Sequence, residues 1–96
     1  MEYAIKLIPS VQKEDLPKLK TSGIDLKSLW QKVERLKTNP YTCSKSKSGD
    51  LSQHRAMNWK DGYRIIFEID EDNKEVIITS IDKHDNAYKK AKKRTK

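Results

Sequence analysis

Two arginines and a histidine–tyrosine pair in the second half of the chain have side chains that can act on a phosphate. Arg55 and Arg64 carry guanidinium groups, whose fixed donors match the paired oxygens of a phosphate. His84 can exchange a proton near neutral pH, and Tyr88 can donate a hydrogen bond or a proton. Their spacing of i and i+4 puts both rings on one helix face if the helix starts early enough. These residues therefore suggest acid–base chemistry on a phosphate.

The turn at Asp61-Gly62 decides whether the two arginines share a surface. A two-residue type I′ turn would set the cross-strand pairs Trp59 with Arg64, Met57 with Ile66, and Arg55 with Glu68. Opposed residues project to the same side of a sheet, so this register places Arg55 and Arg64 on one face. The other face then carries an apolar series that we expect to form the core: Tyr63, Ile65, Phe67, Ile69. A three-residue turn would shift the register by one and put His54 on the side of Arg64 instead.

Each of these residues also has a purely structural interpretation. Arg55 can form a cross-strand ion pair with Glu68, and Arg64 can serve surface solubility. His84 can be a surface histidine, and Tyr88 can anchor the last helix to the sheet. No acid lies opposite Arg64 in the expected hairpin, which favours its role in phosphate binding.

The sequence predicts no metal and no other cofactor. His54, His84 and Cys43 are far apart in the sequence, unlike the ligands of a zinc site. The acidic bend from Asp70 to Glu75 contains Lys74 and lacks the glycine of a calcium-binding loop.

Hydrophobic periodicity and turn residues predict one α+β domain covering residues 1–96, with the helices on one face of an antiparallel sheet. The clearest helix carries an apolar stripe that ends before Asn39-Pro40, and we expect all of its members in the core: Leu26, Leu29, Trp30, Val33, Leu36. Asp25 or Ser22 can cap this helix, and Ser10 can cap a shorter helix before it. The predicted elements are a strand at 3–8, two helices, a polar loop at 41–53, a meander of strands at 53–59, 63–70 and 75–81, and a short helix at 86–94.

Positive charge is concentrated at the carboxyl end. The formal net charge is +7, and residues 83–96 hold six lysines and one arginine against the single acid Asp85. A basic excess on one short element suits a polyanion, either a nucleic acid or an acidic protein segment. The alternative is a solvated lysine-rich tail. The candidate polyanion-binding residues are Lys83, Lys89, Lys90, Lys92, Lys93 and Arg94.

The composition is typical of a cytoplasmic protein. Cys43 is the single cysteine, so no intramolecular disulfide can form, as is usual in a reducing compartment. The chain shows no secretory leader and no apolar run near the roughly 18 residues that a membrane span requires. We therefore expect a cytoplasmic location and no membrane partner.

The stretch "GYRIIFEIDEDNKEVIITSIDKHDNAYKKAKKR", residues 62–94, resembles the carboxyl-terminal half of the RelE/ParE superfamily of type II toxins. The shared features are the Gly-Tyr-Arg strand entry, the acidic bend, the β-rich strand and the Tyr-x-x-Ala-x-x-Arg helix. The order of elements agrees over nearly the whole chain, and "AYKKAKKR" is most similar to the RelE branch. Met57 stands where that branch has a second basic strand residue.

The resemblance implies a ribosome-dependent mRNA endonuclease that is neutralised by an acidic antitoxin wrapped around it. Arg64 matches the arginine that contacts the scissile phosphate, Tyr88 matches the active-site tyrosine, and Arg55 matches a basic strand residue. His84 falls where relatives have arginine or histidine. The partners implied are the ribosome, mRNA and the antitoxin. A ParE-like gyrase inhibitor without catalytic activity, or a toxin-fold binding protein that has lost activity, remains an alternative.

Overall fold

The structure, a computed structural model, describes residues 2–41, 45–46, 54–60 and 62–94, with the backbone alone at 45–46. Most of the polar loop expected at 41–53, including Cys43, lies outside the described residues, as do Asp61 of the expected turn and the last two residues of the chain. The described strands are β1 (Ala4–Leu7), β2 (Lys45–Ser46), β3 (His54–Trp59), β4 (Tyr63–Asp70) and β5 (Glu75–Lys83). The described helices are α1 (Leu16–Thr21), α2 (Leu26–Leu36) and α3 (His84–Arg94), and a π-helical turn, Val11–Asp15, precedes α1.

These strands form one mixed sheet in the order β1-β5-β4-β3-β2. The meander β3-β4-β5 is antiparallel, as the sequence predicts, whereas β1 pairs with β5 in parallel. The predicted α+β fold with a meander and a carboxyl-terminal helix is confirmed, and the parallel β1 makes its sheet mixed.

The two faces of the sheet have different helical covers. One face, called the core face, packs against α1 and α2 and includes Trp59, Ile65 and Phe67, all at most 2% exposed. The other, called the α3 face, includes Ile66, which packs against Ala87 and Ala91 of α3. The sequence places the helices on one face only, but α3 covers part of the second face.

Helix α2 follows the predicted apolar stripe with one exception. Asp25 caps it by accepting a hydrogen bond from the backbone N–H of Lys27 at 2.9 Å. Leu29 and Leu36 are fully buried. Trp30 is 38% exposed, so its predicted place in the core is wrong, because it lies at the margin of the stripe.

The chain entering α1 differs from the prediction at Ser10. Its backbone is already helical and its side chain makes no capping hydrogen bond, so the expected cap is absent. The π-helical turn that follows carries Asp15 into a fully buried position beside β5, where its Oδ2 accepts a hydrogen bond from the N–H of Ile81 at 2.8 Å. The turn therefore joins the helical layer to β5 through a carboxylate.

The β3–β4 hairpin has a three-residue connection at 60–62 because Trp59 opposes Tyr63. Lys60 and Gly62 both have positive φ, of 55° and 80°, the left-handed region that glycine adopts most easily. The two-residue turn and its register are therefore wrong, and the three-residue alternative is confirmed. Arg64 now opposes Asn58 on β3, and every side chain of β3 projects to the face opposite the one predicted.

Candidate active site

Helix α3 begins at His84, two residues before the predicted start, and brings His84 and Tyr88 together. The backbone N–H of His84 donates to the carbonyl of Gly62 at 2.6 Å, which ties the helix start to the β3–β4 turn. The two rings meet edge to face, with centroids 4.8 Å apart. The expectation that an early helix start would place both rings on one helix face is confirmed.

Arg64 lies on the α3 face near the start of α3. It opposes Asp82 of β5, and its neighbour Tyr63 opposes Lys83, the residue before His84. The Arg64 Nη1 donates to the carbonyl of Tyr63 at 3.0 Å. Within the described residues this is the only hydrogen bond of the Arg64 side chain, so most guanidinium donors are left for a ligand.

Asp82 is neutralised by lysines rather than by Arg64. Its Oδ2 lies 2.8 Å from the Nζ of Lys90 and 3.1 Å from the Nζ of Lys18. Burial alone would raise the pKa of Asp82, but the hydrogen bonds from Lys90, the Lys83 backbone and Lys18 outweigh it and leave the pKa below its ordinary value. The Asp82 carboxylate thus stays charged and is paired with two lysines, so it does not neutralise the positive charge of Arg64.

Arg55 does not share the surface of Arg64, contrary to the sequence prediction. The observed register sets Arg55 opposite Phe67, on the core face, and sets Glu68 opposite His54. The Arg55 Nη2 donates to the carbonyl of Tyr41 at 3.0 Å, and the guanidinium carbon lies 5.1 Å from the centre of the Tyr41 ring. Arg55 therefore supports the segment that follows α2.

Arg55 and Tyr41 belong to a cluster centred on Glu71. The Glu71 carboxylate accepts hydrogen bonds from the hydroxyls of Tyr3 and Tyr41 and pairs with the Nζ of Lys74 at 2.8 Å. Hydrogen bonds from Lys74, Tyr41 and Tyr3 lower the pKa of Glu71 to about 2. The hydrogen bond to Glu71 raises the pKa of Tyr41 to about 12. This cluster fastens the first strand and the end of the helical layer to the β4–β5 turn.

His54 is the side chain that the shifted register adds to the α3 face. It is 1% exposed, and its Nε2 lies 3.6 Å from Oε2 of Glu68. Burial lowers the pKa of His54, against the opposing effect of Glu68. His54 opposes Glu68, four positions along β4 from Arg64, so it lies at the far end of this face. The alternative three-residue turn predicts this placement of His54, and the observed register confirms it.

Two of the predicted polyanion-binding residues are held in an internal ion-pair network. The buried Asp15 carboxylate accepts from Lys90 at 2.9 Å and from both terminal nitrogens of Arg94 at 3.1 Å. Arg94 also donates to the carbonyl of Thr79 at 2.8 Å, and its Nη2 lies 3.3 Å from Glu14. Lys90 and Arg94 therefore fasten α3 to β5 and the π-helical turn.

The other four candidates, Lys83, Lys89, Lys92 and Lys93, are exposed. Three of them belong to a groove of about 670 Å³ between α3 and Lys18, here called the lysine groove. The described residues that line it are Lys18, Asp82, Asn86, Lys89, Lys90, Lys92 and Lys93. Five lysines against one aspartate make this groove a cationic surface suited to phosphates or carboxylates.

Among the residues that the structure describes, no group of three or more potential metal-binding side chains occurs. None of the helices within those ranges is long and apolar enough to cross a membrane.

Comparisons with known proteins extend over nearly the whole chain. A protein of Methanocaldococcus jannaschii named "Putative toxin RelE4" is 32% identical over 90 residues, covering 94% of this chain and 95% of that protein. The crystal structure of the toxin–antitoxin complex RelBE2 from Mycobacterium tuberculosis shares the fold with a TM-score of 0.65 at 17% identity, over 86% of this chain and 99% of that one. The solution structure of the conserved hypothetical protein HP0892 from Helicobacter pylori has a TM-score of 0.67 at 21% identity, over 86% of this chain and 96% of that one. No family model matches the chain.

Proposed function

The chain belongs to the RelE family of toxin–antitoxin toxins, and on this premise we propose that it is a metal-independent, ribosome-dependent endonuclease that inhibits translation by cutting mRNA. The observation that carries the proposal is the meeting of His84 and Tyr88 at the start of α3, beside Arg64 on the same end of the sheet. RNA cleavage requires a group that binds the phosphate and groups that transfer protons, and a guanidinium and two rings can perform these tasks.

The reaction uses the RNA's own nucleophile. The 2′-oxygen attacks the adjacent phosphorus while the bond from phosphorus to the 5′-oxygen breaks, leaving a 2′,3′-cyclic phosphate and a 5′-hydroxyl. The phosphoryl oxygens gain negative charge at the crowded transition state. Arg64 stabilises this charge through the donors that its hydrogen bond to Tyr63 leaves available.

Proton transfer is assigned to the two rings. The Nδ1 of His84 lies 3.0 Å from Oδ1 of Asp85, so a tautomer that donates from Nδ1 presents Nε2 as an acceptor. This arrangement supports His84 as the base that removes the 2′-hydroxyl proton. Tyr88 then supplies a hydrogen bond or a proton to the leaving 5′-oxygen.

The ribosome and the antitoxin are the proposed macromolecular partners. The exposed α3 lysines of the lysine groove and Lys83 supply cations for RNA phosphates, whereas Lys90 and Arg94 are already paired with Asp15. The same surface suits an acidic antitoxin segment, and the shared fold with the toxin–antitoxin complex RelBE2 supports such a partner. Arg55 is proposed to position Tyr41 and takes no part in the reaction.

The test is induction of the toxin without an antitoxin, followed by mapping of mRNA 5′ ends. New 5′ ends inside coding regions are expected with the wild-type chain, and far fewer with Arg64→Ala. Arg35→Ala is the matched control, because Arg35 is an exposed arginine on α2, away from the site. Intact mRNA with accumulated gyrase–DNA complexes would replace the proposal with a ParE-like activity. If neither mRNA cleavage nor gyrase–DNA complexes are found, the remaining interpretation is a toxin-fold binding protein without activity.

A further inference from the structure

Trp30 is a large aromatic side chain that the fold leaves at the surface. It is 38% exposed, whereas Trp59 is 2% exposed and donates its ring N–H to Ser28 at 3.2 Å. Indole is costly to leave in water, and the margin of the α2 stripe gives Trp30 only partial cover. An exposed tryptophan on a basic protein is also a platform on which a nucleic-acid base can stack.

The surroundings of Trp30 are cationic and partly apolar. A shallow cavity of about 610 Å³ contains Trp30 together with Lys20 and Lys27, both exposed, and the half-buried Ile24 and Leu26. Among the described residues that line it, Asp25 is the one acid, and it accepts the capping hydrogen bond from the Lys27 backbone. The aromatic ring is therefore flanked by two lysine side chains that can reach phosphates.

A second cavity adjoins this one and reaches Lys83, the residue before His84. Ile24 lines both, and the second cavity, of about 510 Å³, also contains Lys60, Tyr63 and Lys83. Lys83 immediately precedes His84, and the carbonyl of Tyr63 accepts a hydrogen bond from the guanidinium of Arg64. The two adjoining cavities thus form a lysine-lined path from Lys83, beside the candidate active site, to Trp30.

We propose that this path, here called the Trp30 track, binds single-stranded RNA that flanks the cleaved bond, with phosphates on its lysines and one unstacked base on Trp30. The inference rests on the proposed function, since that function places the cleaved phosphate at Arg64. The track lies on the core-face side of the turn, so it is separate from the lysine groove along α3.

The observations favour RNA over an acidic protein segment. The track is lined by Lys20, Lys27, Lys60 and Lys83, spread along its length, and by one exposed aromatic ring at its end. An amphipathic helix would need a continuous apolar groove, but Ile24 and Leu26 are themselves half-buried in the core. Dispersed cations with an exposed aromatic ring at the end suit the phosphates and an unstacked base of a single strand.

The test uses the full chain and a 2′-O-methyl RNA of roughly 12 nucleotides, which cannot be cut because its 2′-oxygen is blocked. Binding is measured by anisotropy of a labelled RNA, and the emission of Trp30 is followed with Trp59 as the buried reference. Trp30→Ala should lower RNA affinity at least about fivefold, whereas Trp30→Phe, which keeps a ring, should stay within about threefold of wild type. Thermal unfolding of both variants checks that they fold.

The charges are tested by a matched pair of lysine variants. Lys27→Ser should reduce the slope of log affinity against log salt by about 0.7, the value for one phosphate contact on a single strand. Lys13→Ser removes another exposed lysine, one that lines neither cavity, and should leave the slope unchanged. Equal slopes for the two variants would overturn the track.

Failure of the track is distinguishable from failure of the proposed function. RNA that binds through Trp30 while no mRNA is cut in cells would leave the track standing and refute the nuclease. Unchanged RNA affinity in Trp30→Ala, or no response of Trp30 emission at saturating RNA, would refute the track whatever the nuclease assay shows. Quenching of Trp30 by poly-glutamate but not by RNA would likewise overturn it and identify the surface as a site for an acidic protein.

Discussion

Replacing the buried Asp15 should be among the most damaging single changes in this protein. The Asp15 side chain is 0% exposed and accepts hydrogen bonds from the Ile81 N–H, Lys90 and Arg94. Asp15→Ala leaves the buried N–H of Ile81 without an acceptor, which costs about 1–3 kcal/mol. Removing one member of a buried ion pair costs about 3–5 kcal/mol, because the partner charges stay buried.

The two costs do not simply add in this network. Lys90 keeps its contact with Asp82 at 2.8 Å, and Arg94 keeps the carbonyl of Thr79 and the exposed Glu14. We therefore expect Asp15→Ala to lower the free energy of unfolding by about 3–4 kcal/mol, near the low end of the buried-pair range. Domains of this size have about 5–15 kcal/mol in all, so the variant should fold with little margin.

Urea denaturation followed by circular dichroism and tryptophan emission measures this loss. Glu14→Ala is the matched control, because the neighbouring Glu14 side chain is 66% exposed and contacts the same arginine at 3.3 Å. It should cost less than about 1 kcal/mol, as exposed ion pairs do. Asp15→Asn keeps an acceptor for Ile81 and should fall between the two. The reasoning is refuted if Asp15→Ala lies within about 1 kcal/mol of wild type, or if Glu14→Ala costs as much.

Four further outcomes are expected. Arg64→Ala should fold normally and cleave about 30- to 1000-fold more slowly in a purified ribosome assay, since one donor to a developing anion contributes about 2–4 kcal/mol; full activity would return Arg64 to a solubility role. Tyr88→Phe should slow cleavage with antitoxin affinity little changed, measured by titration calorimetry. Lys89→Ser with Lys93→Ser should weaken ribosome binding and its salt dependence without loss of thermal stability, because both lysines are exposed. The pKa of Glu71 is lowered from 4.5 to about 2, so its contribution to stability is complete above about pH 4.5 and is lost as the pH falls through about 2. In Glu71→Gln, the free energy of unfolding measured against pH should therefore fall less steeply at acid pH.

Sequence periodicity predicted the elements well because it reflects burial on regular structure. The bounds of β4 agree with the prediction, and the stripe of α2 identifies Leu29, Val33 and Leu36 as core. Turn length is harder to predict from the sequence, because Asp-Gly favours a two-residue hairpin whereas the connection has three residues. The additional turn residue shifts the register by one, which places Arg55 on the core face and Arg64 on the α3 face. The prediction that both arginines share one phosphate-binding surface is therefore wrong. Pairings between distant segments, such as Asp15 with Arg94, have no local signal at all.

The charge of α3 shows why composition alone could not separate binding from packing. Lys89 and Lys93 are spaced i and i+4, and so are Lys90 and Arg94, so two adjacent stripes of the helix are equally basic. The Lys90–Arg94 stripe meets the buried carboxylate of Asp15 and therefore anchors the helix, while Lys89 and Lys93 are exposed at the lysine groove. Within the described residues, the apolar contacts of α3 come from Ala87, Ala91 and the partly buried Tyr88, so the ion pairs add to a small apolar contact in holding His84 and Tyr88 in place. An acidic partner that competed for Lys90 and Arg94 would have to leave Asp15 buried without its cations, so the exposed lysines, not the paired cations, are where such a partner first binds.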